Sequence, residues 1–148
     1  MLEEGVRVAE RLKRVLRTYR SITGLGRGLA APQIGESVTV FVTYVNEVFD
    51  VYINPEIIER SQETNWYREV CMSVGLMAAD VERSEWIVMK WIDEEECEHE
   101  KKFDGFMAWL LQHEETHLCG KLNVDEGPPG RIECATFDPL HEQLRDER

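Results

Sequence analysis

In the segment Gln112-His113-Glu114-Glu115-Thr116-His117, two imidazoles stand four residues apart with a carboxylate next to the first. On a helix of about 3.6 residues per turn, positions 113 and 117 share a face, so both rings can hold a single metal ion. Glu114 points to nearly the same side, where it can take a proton from metal-bound water rather than ligate the ion. The pattern is short, and an acidic, His-containing helix can also produce it without any site. Two histidines need a third ligand, with the fourth position left to water. Cys71, in Glu69-Val70-Cys71-Met72-Ser73, is the candidate, since a thiolate suits a borderline or soft divalent ion such as zinc or ferrous iron. On spacing alone a buried core cysteine explains it as well. A third segment, Gly26-Arg27-Gly28-Leu29-Ala30-Ala31-Pro32-Gln33-Ile34-Gly35, has small residues that let backbone approach a ligand, and Gln33 offers an amide donor to an oxygen. Alone it reads equally as a Gly-rich turn entering a strand.

The elements that must position these groups are legible in outline. The histidine segment sits on a helix with Asp104 at the N-cap position, apolar residues Phe106, Met107, Trp109, Leu110 and Leu111, and Gly120 as the C′ glycine. Its first half is apolar almost all round, which makes it a core helix, and burying His113, Glu114 and His117 on it is costly unless a cation pairs with them. Leu2, Val6, Ala9, Leu12, Leu16 and Tyr19 recur at helical spacing in an opening amphipathic helix. Val38 to Tyr44, Phe49 to Ile53, Thr64 to Arg68 and Trp86 to Ile92 are β-rich runs, with Asn54-Pro55 as a breaker. The charged run Asp93 to Lys102, with Cys97 and His99, reads as a solvated hairpin tip rather than a second metal site. The fold class expected is α+β, a central metal-binding helix packed against short, mostly antiparallel β-sheets.

Taken together and in this order, the three segments resemble the peptide deformylase family, whose motifs are G-φ-G-φ-A-A-x-Q, E-G-C-φ-S and Q-H-E-x-D-H, φ being apolar. The resemblance runs from about Gly24 to Asp125. It implies removal of the N-formyl group from the formyl-methionine of newly made polypeptides, with release of formate. Cys71, His113 and His117 would ligate one divalent metal, iron(II) or zinc, with nickel or cobalt able to substitute, and Glu114 would be the general acid/base. Gln33 and the backbone N–H of Met72 would form the oxyanion hole. Glu69 and Arg83 match a buried carboxylate and arginine that brace the metal-binding strand. The backbone around Arg27 and Gly28 and the carbonyl of Val70 match positions that bind the substrate peptide as an added strand. Trp109 and Leu110 are candidates to line the pocket for the methionine side chain, although an apolar stripe on a helix is ordinary core packing first. Formyl is the smallest acyl group, so a tight pocket can exclude acetyl by clash.

Three positions depart from the family pattern: Val70 stands in place of glycine, Arg27 in place of an apolar residue, and Thr116 in place of aspartate. Val70 brings a Cβ next to the metal cysteine and disfavours φ > 0, and Arg27 brings charge to the rim of the peptide groove. Both point to altered substrate preference or inhibitor sensitivity. A Thr116 hydroxyl can still hydrogen-bond as the aspartate would. A general zinc peptidase and a non-catalytic homologue that binds N-termini are the alternatives. Cys71 and the Gln33 segment argue against the first, and the retained ligands and Glu114 against the second.

At 148 residues the chain is expected to form one domain over 1–148 with a proper core. Relative to bacterial deformylases it begins late and stops early, as in a compact viral or divergent bacterial form, with a tail from Phe137 to Arg148 long enough for about three helical turns. A net charge of −12 and a pI near 4.8 argue against affinity for nucleic acid or anionic membrane. With no apolar stretch long enough to span a bilayer and no leader-like N-terminus, the expected location is the cytoplasm of a bacterial or virus-infected bacterial cell, an organelle staying open. Formylated nascent N-termini, met near the ribosome, are the partners this implies. Cys119 and Cys134 read as free thiols in a reducing compartment.

Overall fold

The opening amphipathic stripe folds as α1 (Leu2–Thr23), with Glu3 and Glu4 in its first turn and Arg20 in its last, as the helix dipole favours. It buries Val8, Ala9, Leu12 and Leu16 against a sheet. Gly5 faces the same way, and a Cβ there would stand 3.0 Å from Ile53 Cγ2, so helix and sheet are in close contact at that point. The structure, a computed structural model, describes residues 2–71, 77–128 and 130–134.

The remaining described elements are β1 (Gly28–Ala30), a 3₁₀ turn (Ala31–Ile34), β2 (Val40–Val45), β3 (Val48–Arg60), β4 (Thr64–Val70), β5 (Met77–Ser84), β6 (Trp86–Ile92), β7 (Glu98–Asp104), α2 (Gly105–Leu118), α3 (Asn123–Glu126) and β8 (Ile132–Cys134). They form a five-stranded sheet ordered β1-β2-β3-β6-β7 and a three-stranded sheet ordered β4-β5-β8. Every pairing among them is antiparallel, so the α+β class read from the sequence is the observed one. Strand alternation splits the large sheet into two faces. Leu29, Val40, Val42, Val51 and Ile53 meet α1, while Ala30, Phe41, Tyr52, Ile87 and Met89 pack with Ala108 and Leu111 of α2 on the other side. Full burial of each large aliphatic side chain contributes about 1.5–3 kcal/mol relative to exposure.

Three local expectations change. Asn54-Pro55 does not break the strand: β3 runs through it as a bulge between Ile53 and Glu56. Asn54 takes φ 49°, a left-handed conformation that asparagine tolerates, and Pro55 sits where a ladder N–H is not needed. The charged run is a hairpin tip only over Asp93 to Cys97, where the Asp93 carboxylate accepts the N–H groups of Glu95 and Cys97 at 2.8 and 3.0 Å. The rest of it belongs to β7, an edge strand whose exposed charges discourage pairing with other chains. Finally, β4 reaches Val70, two residues beyond the run read from the sequence, and this extension carries Glu69 inward to the start of the site.

Candidate active site

Asp104 occupies the N-cap position of α2 with extended dihedrals, but its side chain makes no capping bond. The other end is closed more firmly. Gly120 is left-handed at φ 75°, its N–H reaches His117 O at 3.0 Å, and the Lys121 N–H reaches Thr116 O at 3.1 Å, the paired bonds of a Schellman ending. Between these ends α2 buries Gln112, His113, Glu114, Thr116 and His117 together.

Cys71 follows β4 and meets this helix. Its Sγ lies 3.3 Å from His117 Nε2, which in turn lies 3.3 Å from His113 Nε2, and the three ligand atoms all fall within 4.8 Å of one another. The outer nitrogens are already committed: His113 Nδ1 to Glu69 Oε1 at 2.8 Å and His117 Nδ1 to the Lys121 carbonyl at 3.1 Å. A carbonyl can only accept, so His117 Nδ1 carries the proton and Nε2 keeps its lone pair for the site. The same logic holds for His113 against the Glu69 carboxylate. One thiol and two imidazoles oriented in this way form a group that can hold a metal ion. Burial would raise the Cys71 thiol, but when His113 and His117 carry a proton on Nε2 as well, their hydrogen bonds and charge outweigh it and hold the pKa down at about 5.

Glu69 is the hub behind the histidine. Besides His113, it receives Arg83 Nε and Nη2, both at 2.9 Å, and the indole N–H of Trp109 at 2.9 Å. Its backbone carbonyl takes the Asn123 amide at 2.7 Å. Glu69 and Arg83 share one face of the β4–β5 ladder, where Asn65 pairs with Arg83 and Glu69 with Ala79. Burial works against ionisation of Glu69, yet the bonds from His113 and Arg83 prevail and bring its pKa to about 2. Sequence reasoning missed Asn123, the bracing use of the Trp109 N–H, and Gln112, which clasps Ser84 N and O at 2.9 Å each. Of these, only Gln112 had a signal, as the first letter of the histidine motif.

Glu114 lies on the same helix but is held differently. It is 3% exposed, and its Oε2 has no hydrogen-bond partner among the described residues. Burial raises its pKa to about 7, with His113 and His117 only partly opposing. β1 passes directly over it: a Cβ on Gly28 would stand 2.3 Å from Glu114 Oε1. A Gly28→Ala variant must therefore push the carboxylate aside, and we expect its kcat to fall about 100-fold, the scale of an ångström misplacement, at near-normal metal content. Steady-state kinetics alongside metal analysis check this.

β1 is an edge of its sheet. The Arg27 carbonyl accepts Tyr44 N–H at 2.7 Å, so by antiparallel alternation the backbone groups of Gly28 face away from β2. The Arg27 guanidinium lies over the Phe106 ring at 4.8 Å, and Phe106, Trp109 and Tyr67 continue as an aromatic wall with centroid spacings of 5.4 and 5.5 Å. Ala30 N–H donates to Gln33 Oε1 at 2.8 Å, which turns the Gln33 NH₂ toward Cys71 Sγ, 3.7 Å away. Leu110 is buried and Val70 half-buried. Met72 lies outside the described residues.

Residues 3–131 match the model of the polypeptide deformylase family. A peptide deformylase of Rhizorhabdus wittichii is 40% identical over 110 residues, covering 68% of this chain and 62% of the relative, and one of Pseudothermotoga lettingae is 42% identical over 106 residues, covering 72% and 61%. The chain thus spans about three fifths of the length of these relatives. Among solved structures, a probable peptide deformylase from Synechococcus phage S-SSM7 superposes with a TM-score of 0.75 at 28% identity over 85% of both chains. The Thermotoga maritima peptide deformylase gives 0.71 at 35% identity over 82% of this chain and 84% of that one. With its three motif segments meeting around one cluster and the family model matching most of its length, this chain belongs to the polypeptide deformylase family.

Proposed function

We propose that this chain is a metal-dependent hydrolase that removes the formyl group from N-terminal formyl-methionine, leaving formate and a free amine. The observation that carries this reading is Glu114, a buried carboxylate with an oxygen that has no partner among the described residues, set beside a Cys/His/His donor group and under the backbone of an edge strand. Cys71, His113 and His117 hold one divalent ion in this reading, iron(II) or zinc, with nickel or cobalt able to take its place. When bound, such an ion supplies Lewis acidity, acidifying a water and polarising a carbonyl.

The chain's own residues do the rest. Glu114 accepts the proton of the attacking water and passes it to the departing amine, and burial, which favours its protonated form, suits a group that must hold that proton between the two steps. Gln33 Nε2 and the backbone N–H of Met72 donate to the formyl oxygen as it becomes an oxyanion. Gly28 at the edge of β1 and the Val70 carbonyl align the peptide as an added strand, Arg27 stands at the rim, and Trp109 and Leu110 border the methionine side chain. Glu69 and Arg83 keep the site's scaffold in place. The substrates are formylated N-termini of nascent chains, met near the ribosome in the cytoplasm of a bacterial or virus-infected bacterial cell, and residues 1–148 act as one catalytic domain. Among the described residues no helix is long and apolar enough to cross a membrane.

The test is anaerobic turnover of formyl-Met-Ala-Ser and acetyl-Met-Ala-Ser by iron(II)-loaded protein, followed by release of free amine. Formyl-selective turnover supports the proposal, and no turnover from protein holding one metal per chain overturns it. A Gln33→Leu variant is expected to lose about 100- to 1000-fold in kcat with little change in KM, because its amide acts on charge present only in the transition state.

A further inference from the structure

We infer that Glu126 is a positioning residue for the metal-binding helix, completing through Arg83 the chain of bonds that orients His113. The inference rests on the reading of Cys71, His113 and His117 as a metal site. Arg83 is 5% exposed and spends Nε and Nη2 on Glu69, which leaves Nη1. That nitrogen meets Glu126 Oε2 at 2.5 Å and Thr116 Oγ1 at 3.0 Å, and Glu126 Oε1 also lies 3.2 Å from the Thr116 hydroxyl. Both carboxylates raise the pKa of Arg83 against burial, Glu69 more than Glu126. Without Glu126, Nη1 would keep only the neutral Thr116 hydroxyl among the described residues, and the guanidinium that grips Glu69 would be held less firmly.

α3 is one turn long, and its two ends reach the same hub by separate routes. Asn123, fully buried, fixes the main chain of Glu69, and Glu126 fixes the arginine that grips the Glu69 side chain. Position 116 stands between His113 and His117 on α2, and its hydroxyl occupies the place from which a carboxylate would reach Nη1 directly. The chain supplies that charge from a residue ten positions further on. The outer side of Glu126 faces a polar cavity of about 430 Å³ that Arg60, Thr64 and Glu82 also line, so a shortened or neutral side chain there is hydrated instead of leaving a dry void.

The experiment measures cobalt(II) affinity by chelator competition, with the visible spectrum of the bound ion as a second readout, for wild type, Glu126→Gln and Glu126→Gln combined with Thr116→Asp. The expected result is a loss of about 10-fold or more in affinity and an altered spectrum in the single variant, the scale for removing a partner behind a ligand. The double variant is expected to return to within about threefold of wild type with the wild-type spectrum. Unchanged affinity in Glu126→Gln overturns the inference, as does a loss that Thr116→Asp fails to restore, which would make Glu126 a fold support only. If the single variant does not fold, the double variant decides alone: wild-type affinity upholds the inference and anything weaker ends it. Cobalt binding is read without peptide, so failure of deformylation and failure of this inference give different results.

Discussion

Replacing Glu114 with glutamine is expected to lower kcat/KM for formyl-Met-Ala-Ser by about 10²- to 10⁴-fold, the range for loss of a positioned acid/base. The protein should stay folded and keep its metal. The two halves of this expectation have the same cause. A carboxylate at 3% exposure with an oxygen unpartnered among the described residues is a poor choice for stability, and burial holds its proton to about pH 7. Because the folded-state pKa is raised, its contribution to stability is full below the ordinary carboxylate range near 4.5 and is lost as pH rises through about 7. Glutamine removes that penalty with nearly the same volume. Metal-stripped Glu114→Gln should therefore unfold at a temperature no lower than wild type at pH 8, while its activity is nearly gone. Retention of more than a tenth of wild-type activity would remove Glu114 from the mechanism.

Arg83→Ala is expected to produce the largest loss of stability, about 3–5 kcal/mol, because it leaves Glu69 as a buried charge without its main counter-ion. That is a large part of the roughly 5–15 kcal/mol that holds a domain of this kind together. Arg83→Lys should recover only part, since an ammonium cannot reproduce the two parallel bonds to Glu69 Oε1 and Oε2 or the reach to Thr116 and Glu126. The pH dependence follows from Glu69, whose pKa burial would raise but His113 and Arg83 lower from 4.5 to about 2. Its stabilisation is complete above pH about 4.5 and fades as pH falls through about 2, so wild type should weaken in acid more steeply than Arg83→Ala. Urea denaturation across this range measures both. A difference below 1 kcal/mol at pH 7 would show that the pair contributes little.

How much of this was legible in the letters follows from how local each signal is. His113 and His117 are joined by helical geometry alone, so four residues of spacing suffice to bring them together. Cys71 is 46 residues from His117, and only its chemistry and the family resemblance placed it there. β5 went unread because Met77-Ala78-Ala79-Asp80-Val81-Glu82-Arg83-Ser84 alternates poorly and carries charges, one of which is the buried Arg83. Asn54-Pro55 was read by residue type as a stop, whereas the ladder on both sides absorbs it as a bulge. The contacts of Asn123 and Glu126 depend on where a one-turn helix docks, which no periodicity records. Trp109 looked like a pocket wall or core because its apolar area is visible in sequence, and the direction of its N–H is not.

The ending of α2 has a consequence for the ligand beside it. His117 is aimed by the carbonyl of Lys121, four residues ahead, and that carbonyl points back at the ring only because the chain turns left-handed at Gly120. In a continuing helix the same oxygen would be drawn forward to a later N–H. The stop is thus part of the coordination chemistry: lengthening α2 by a single turn would leave His117 in register with His113 and yet remove what decides which of its nitrogens is bare. Helix length here sets a tautomer, so insertions after Leu118 should be judged by their effect on the imidazole before their effect on the fold.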